Sequence, residues 1–396
     1  MNIVTRSSSY LISIYIALVY VLSTNGIFID VLGFGFNPSK LFILITLPFV
    51  LLFSFKIKIE LLDILFLLFF VFGIVRFFVY NEFGVISDLT NFVFPFLFYK
   101  VLGTHLDKIN LKLVLRIILF FVFFHAIFGL IQFYTGDRGL LIVSEIQEFK
   151  IKYAREYSFN PFEALLLLPH GLYAYSSVLG ISLIFPLFLV FARNRNLISV
   201  ILFGLLSITI FLTFSRFEIL TIFLLIIFSI FVIKNNKIKY LRFFSIYFLG
   251  IGLIFFYLSI TNDAIGSVSA RLISLDSLQN IFDTKSFFFG IASVNDFLFN
   301  YKMNIPHNMY VFSIIAYGLF ATIFLISYFL IKIYSYTKKS NVILFNYLKS
   351  YNYILFFLLF LIFYRAFNYY VIDGYENILL FFICFLLLDT LKFQNK

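Results

Sequence analysis

About a dozen times in 396 residues the chain returns to a nearly uninterrupted apolar run of roughly 15 to 24 residues, and that recurrence leaves few folds open. A bilayer core about 30 Å thick takes roughly 20 apolar residues per helix. Inside it no water satisfies the backbone, so such a run folds as a helix that bonds its own N–H and C=O groups. The runs predict spans near 10–29, 41–55, 61–80, 89–104, 113–134, 170–192, 197–214, 217–234, 241–260, 308–331, 352–371 and 376–391. Composition removes the alternatives. Hydrophobic residues make up 62% and charged residues 12%, against roughly 45–50% and about 25% in soluble chains, so too few polar side chains exist to coat a water-facing surface. A soluble enzyme, a disordered tail and a secreted disulfide scaffold are excluded, the last because Cys384 is the sole cysteine. The expected fold is an all-α integral membrane protein, a single polytopic domain over 1–396 with about 12 transmembrane helices. The first run has only Arg6 before it and no small-residue cleavage site after it, so it reads as a retained helix.

Charge sets the expected orientation. The excess of 30 Lys+Arg over 19 Asp+Glu would hint at nucleic acid in a soluble protein. Here it reads as a topology signal, and no nucleic-acid partner is expected. With the N-terminus inside, the inner loops hold 19 of the 30 basic residues and the outer segments 11. The contrast is sharpest in the short loops with Arg193, Arg195 and the Lys234–Arg242 cluster. Both termini are expected in the cytoplasm. Most acids fall outside; Glu60, Asp63, Asp107 and Asp389 are the inner exceptions. Two long extramembrane stretches, 135–162 and 261–307, land on the outer face, the second as a large loop between spans nine and ten.

The outer face carries the candidate chemistry. Residues 135–162 alternate charge with apolar residues at three- and four-residue spacing, as an amphipathic interfacial helix does. Its bland reading is a snorkelling surface helix; the functional one is a wall over a lipid-accessible cavity, with Arg155 as a substrate contact. The Pro161-to-Pro169 stretch and the run after it suggest a half-inserted segment, where His170, Tyr173 and Tyr175 line a cavity or simply anchor the interface. Span seven ends in Thr213-Phe214-Ser215-Arg216. An arginine in a tight outer turn either snorkels to headgroups or offers its fork of donors to phosphate oxygens. Arg271 lies in the large loop, with Asp276 and Asp283 as alternative ion-pair partners. His307, beside Asn308 at the mouth of span ten, is either a capping residue or a base with an unperturbed pKa of about 6.5. No metal-ligand spacing, Walker loop or dinucleotide glycine pattern occurs, so neither a metal nor a nucleotide cofactor is expected.

At these residues the chain resembles the O-antigen polymerase and O-antigen ligase superfamily of bacterial inner-membrane glycosyltransferases. The likeness rests on Thr213-Phe214-Ser215-Arg216, Arg271-Leu272, Phe289-Gly290, and His307-Asn308 followed by Gly318 and Thr322, and it covers roughly 170–332. Two positions depart: Tyr317 stands where an acidic residue is frequent, and Ala321 where a second glycine is. The resemblance implies a GT-C-like fold with its active site at the periplasmic face and an undecaprenyl-diphosphate-linked oligosaccharide as donor. The acceptor would be a second lipid-linked repeat for a polymerase, or lipid A-core for a ligase. It implies metal-independent, inverting transfer, with Arg216 and Arg271 on the diphosphate, His307 on the acceptor hydroxyl, and Ser215 and Asn308 on substrate. Membrane lipid and a chain-length regulator protein are the further partners it allows. A polysaccharide-repeat flippase is the competing class; it should carry ionisable groups near midplane, whereas here most charges sit at span ends, with His125 and Arg116 as exceptions.

Overall fold

The computed structural model describes residues 3–23, 29–31, 34–36, 38–53, 59–80, 83–135, 176–193, 197–213, 218–219, 222–223, 284–291, 309–340, 354–355, 357–358, 361 and 375–394. Helices dominate them: α1 (Ile3–Ser23), α2 (Pro38–Phe53), α3 (Asp63–Tyr80), α4 (Phe83–Leu102), α5 (Leu111–Thr135), α6 (Ser176–Arg193), α7 (Leu197–Leu212), α8 (Thr284–Phe289), α9 (Met309–Tyr317), α10 (Leu319–Ser340) and α11 (Tyr375–Gln394). A 3-10 turn, Gly103–Lys108, follows α4. Helices thus stand at the predicted spans except 217–234, 241–260 and 352–371, which lie almost wholly outside the described residues. The amphipathic segment 135–162 lies outside them too, apart from Thr135.

Three described helices are long and apolar enough to cross a bilayer: Asp63–Tyr80, Leu111–Tyr134 and Leu319–Tyr336. Only 28%, 33% and 44% of each is buried within the protein. Along α3, Leu67, Val71, Ile74 and Phe78 are exposed, an apolar stripe that water would penalise and lipid accepts. These are the helices of an all-α membrane protein.

The structure departs from the sequence reading in four places. The first helix runs Ile3–Ser23 where the apolar run predicts 10–29, so Arg6 lies within it. A hairpin pairs β1 (Ile29–Val31) with β2 (Phe34–Phe36), Asp30 opposite Gly35. Its period-two alternation is too short to stand out beside runs of about 20 residues. The tenth span is not continuous: Gly318, at φ 83°, separates α9 from α10. And α10 runs to Ser340, past the expected loop start at 332, because Lys332 and Tyr336 are buried rather than solvated.

Contacts divide the chain into two compact units. One comprises Met1–Ser23, Ser39–Leu111 and Ile265–Lys396, the other Thr24–Pro38 and Lys112–Ala264. In the first, α3 packs on α10 and α4, and α11 packs on α4, the 3-10 turn and α1. Its core is aromatic. Phe66 stacks on Phe96 at 4.4 Å between centroids and meets Phe382 edge-on at 5.5 Å, while Phe329 lies 4.6 Å from Phe381. Such pairs add about 0.5–1.5 kcal/mol each beyond burial, and lipid competes poorly for them. Gly73 lets α3 approach α4 closely, since a Cβ there would run into Leu89. In the second unit α6 packs on α7, and the Thr209 hydroxyl bonds the Leu205 carbonyl at 2.9 Å and the Ala126 carbonyl of α5 at 3.5 Å.

Candidate functional site

His307, Arg216, Arg271, Asn308, Ser215, Arg155, Tyr175 and His170 all lie outside the described residues. What the structure does describe are the segments on either side of the motifs, and these are tightly built.

In the second unit, Thr213 opens the Thr-Phe-Ser-Arg motif and ends α7. Its side chain is buried and its hydroxyl donates to the Ile210 carbonyl at 2.6 Å. Glu218, two residues past Arg216, is fully buried. Both meet α6 at one point: a Cβ added to Gly180 would sit 3.0 Å from Glu218 Cγ and 3.3 Å from Thr213 Oγ1. The flanks of the motif therefore converge on a glycine that has no side chain to hold them off. The sequence places Glu218 on the outer side, at the start of the predicted span 217–234, with no burial expected from it. The signal that could have found it is an acid immediately following an arginine motif at a span end, where burial needs a specific partner.

In the first unit, two further motif segments come together. Phe289-Gly290 closes α8 and Gly318 separates α9 from α10. Both glycines are left-handed, at φ 77° and 83°, and a Cβ on either would strike the other segment's backbone, Ala316 O from Gly290 and Phe288 O from Gly318. Only glycine suits both demands. Phe288 stacks on Phe320 at 5.2 Å to lock the crossing. Thr322 donates its backbone N–H to Gly318 O at 3.1 Å; its buried hydroxyl finds no partner among the described residues.

Arg76 of α3 reaches this crossing. Its side chain is 1% exposed, its Nε and Nη2 both donate to the Ile291 carbonyl at 2.9 and 2.5 Å, and its guanidinium lies 5.8 Å from the Tyr317 ring centroid. One turn on, Tyr80 donates to the Gly290 carbonyl at 2.5 Å. The sequence reading had counted Arg76 only as an outer topology charge. The rule that an ionisable residue within a span needs a named partner would have singled it out.

The opposite end of α3 holds a second polar cluster. Lys100 Nζ pairs with Asp63 Oδ2 at 2.5 Å and Lys332 Nζ with Glu60 Oε2 at 2.9 Å. Tyr99 donates to Asp389 Oδ2 at 2.7 Å, and the two ammonium groups lie 5.3 and 5.4 Å from its ring centroid. A cleft of about 200 Å³ opens here, lined by Glu60, Tyr99, Lys100, Thr104, Asp389 and Lys392. Both charge signs line it in balance, which suits mutual neutralisation rather than capture of an ion. Nearby in the 3-10 turn, burial and then Lys108 push the His105 pKa down. No group of three or more His, Cys, Asp or Glu suited to a metal occurs among the described residues.

No protein family, curated protein or solved structure matches the chain.

Proposed function

We propose that the protein is a surface-polysaccharide (O-antigen) polymerase of the bacterial inner membrane, multi-pass, with both termini cytoplasmic and its active site at the periplasmic face. It transfers an undecaprenyl-diphosphate-linked glycan onto the terminal sugar of another lipid-linked repeat. The acceptor hydroxyl attacks the anomeric carbon from the face opposite the diphosphate, a carbon–oxygen bond forms, and the bond to the diphosphate oxygen breaks. His307 takes or positions the hydroxyl proton. Arg216 and Arg271 stabilise the charge developing on the leaving diphosphate, Ser215 and Asn308 orient substrate, and Arg155, Tyr175 and His170 contact it. A diphosphate leaves readily, so the step asks for no metal.

The observation that supports this reading most is the Gly290–Gly318 crossing. Two segments read from the sequence as parts of one motif set, 28 positions apart, lie backbone to backbone. They bracket the stretch that ends in His307-Asn308. Charge placement supports it over a flippase: α3 holds no ionisable residue from Ile64 to Val75. His125, buried midway along α5, and Arg116 of the same helix are exceptions.

The test is long-chain surface polysaccharide on a gel, in a strain deleted for the gene and complemented with wild type, Arg216→Ala, Arg271→Ala or His307→Ala at matched membrane levels. Wild type restoring the ladder while each variant leaves a single repeat on the core is the expected outcome. Core with no repeat at all, and lipid-linked polymer accumulating, assigns the ligase instead. Variants as active as wild type overturn the site.

A further inference from the structure

We propose that the cleft at the N-terminal end of α3 is a headgroup site for a zwitterionic phospholipid bearing a primary ammonium, a phosphatidylethanolamine. The ammonium docks on Asp389 and the phosphate lies toward Lys100 and Lys392. The site is independent of the glycosyl transfer proposed above.

The charges around the cleft are unequally matched. Lys100 pairs with Asp63 at 2.5 Å and Lys332 with Glu60 at 2.9 Å. The Asp389 carboxylate is met by a hydroxyl instead: Tyr99 donates to its Oδ2 at 2.7 Å, and no lysine or arginine among the described residues forms an ion pair with it. A carboxylate offers about four lone-pair positions, so tyrosine hydroxyls leave room for an ammonium. Two helices add to the attraction. α4 ends at Leu102 and α11 at Gln394, both beside the cleft, and a helix C-terminus carries partial negative charge. Lys100 and Lys392 line the same cleft. An ammonium has three donors, of which Lys100 gives one to Asp63. A lone cation entering here meets these lysines, and a lone anion meets Glu60 and Asp389. A ligand with both signs and no net charge escapes both penalties.

Size and surroundings select a lipid. The volume of about 200 Å³ lies below the roughly 300–1,000 Å³ of pockets that enclose drug-sized ligands; it suits a headgroup and is too small for an oligosaccharide. Glu60 stands just ahead of α3, a helix long and apolar enough to span a bilayer, so the cleft opens at the level where headgroups lie. The chain neighbours of Glu60 are apolar and exposed, Ile59 at 66% and Leu61 at 86%, and so is Phe393 of the cleft wall at 49%. Such side chains beside a charged cleft are unfavourable in water and suit acyl chains. The wall is open at Gly103, where an added Cβ meets nothing within 4 Å.

The full chain in detergent is titrated with phosphatidylethanolamine, phosphatidylcholine or phosphatidylglycerol of identical acyl chains, and bound lipid is counted by native mass spectrometry. Phosphatidylethanolamine binds about tenfold tighter than phosphatidylglycerol, which has no ammonium. It binds about fivefold tighter than phosphatidylcholine, whose methylated nitrogen donates no hydrogen bond. Asp389→Asn keeps an acceptor for Tyr99, removes the charge and lowers phosphatidylethanolamine affinity about tenfold. Gly103→Leu leaves every charge in place, fills the opening and abolishes the preference. Equal binding of the three lipids marks an annular lipid and overturns the site; a preference for phosphatidylglycerol overturns the ammonium assignment. Either variant with wild-type selectivity overturns the proposal, and if Asp389→Asn does not accumulate, Gly103→Leu decides alone. Glycerophosphoethanolamine, the same headgroup without acyl chains, separates the sources. Weak competition is expected from it, and competition as strong as the lipid's marks a soluble ligand and overturns the lipid site.

Discussion

The two ends of α3 place an ionised group near a membrane border by opposite means. At the N-terminal end Asp63 is met by a side chain: it pairs with Lys100, which lines a cleft with further acids and a second lysine, and it also accepts the Glu60 amide at 2.6 Å. At the C-terminal end Arg76 sits among backbone: a carbonyl, a neighbouring carbonyl held by Tyr80, and a glycine crossing. Counter-ions on side chains can be removed in pairs. A backbone carbonyl is placed by the path of the chain, and no side-chain substitution takes it away. The first arrangement is local chemistry, the second is part of the fold.

The largest expected effect breaks the backbone end. Gly318→Ala forces a Cβ into a left-handed residue and into the Phe288 backbone, so the protein fails to accumulate in membranes. Gly103→Ala near the other end meets nothing within 4 Å and accumulates as wild type. Immunoblots and fluorescence-detected size exclusion of both compare them directly, and a monodisperse, abundant Gly318→Ala would show the crossing to be dispensable. Next comes the buried ion pair. Lys100→Met leaves Asp63 uncompensated and lowers stability by about 3–5 kcal/mol, and adding Asp63→Leu restores most of it; thermal unfolding in detergent reads both. Failure of the double variant to recover would mean that the cluster, not the pair, is the unit. Glu60→Gln sharpens the gradient within the cluster. Its side chain is 58% exposed, so the loss stays under about 1 kcal/mol and shrinks further with salt.

The smallest effect is pH-linked. His105 has a folded pKa below its ordinary 6.5, so the unfolded chain takes the proton first. Its contribution is whole above that value and fades as pH falls below it. His105→Gln should flatten the slope of melting temperature against pH on the acid side, and an unchanged slope would remove His105 from the account.

Helix positions were legible because run length alone nearly fixes them: α3, α5 and α7 lie within two residues of the predicted spans. Their partners were not. Glu60 meets Lys332 across 272 residues and Tyr99 meets Asp389 across 290, separations that no local period encodes. Those charges therefore read as inner-loop topology signals, although Asp63, Lys100 and Lys332 are buried and paired. Lys40, counted among the outer charges, is likewise buried, and donates to Asn91 at 2.9 Å. The glycine motifs were visible as letters. What makes them glycines, two left-handed turns in backbone contact, needed coordinates. Ser215, Arg216, Arg271, His307 and Asn308 lie outside the described residues, and their grouping rests on the sequence.

The Arg76–Ile291 bond also has a meaning in time. Its two halves are 215 residues apart, which at a synthesis rate of about 5–20 residues per second is a delay of roughly ten to forty seconds. Throughout that interval a ribosome-bound chain has inserted a span whose arginine has no final seat. A chain truncated before residue 291 lacks that acceptor altogether and is expected to be cleared from the membrane faster than the full chain.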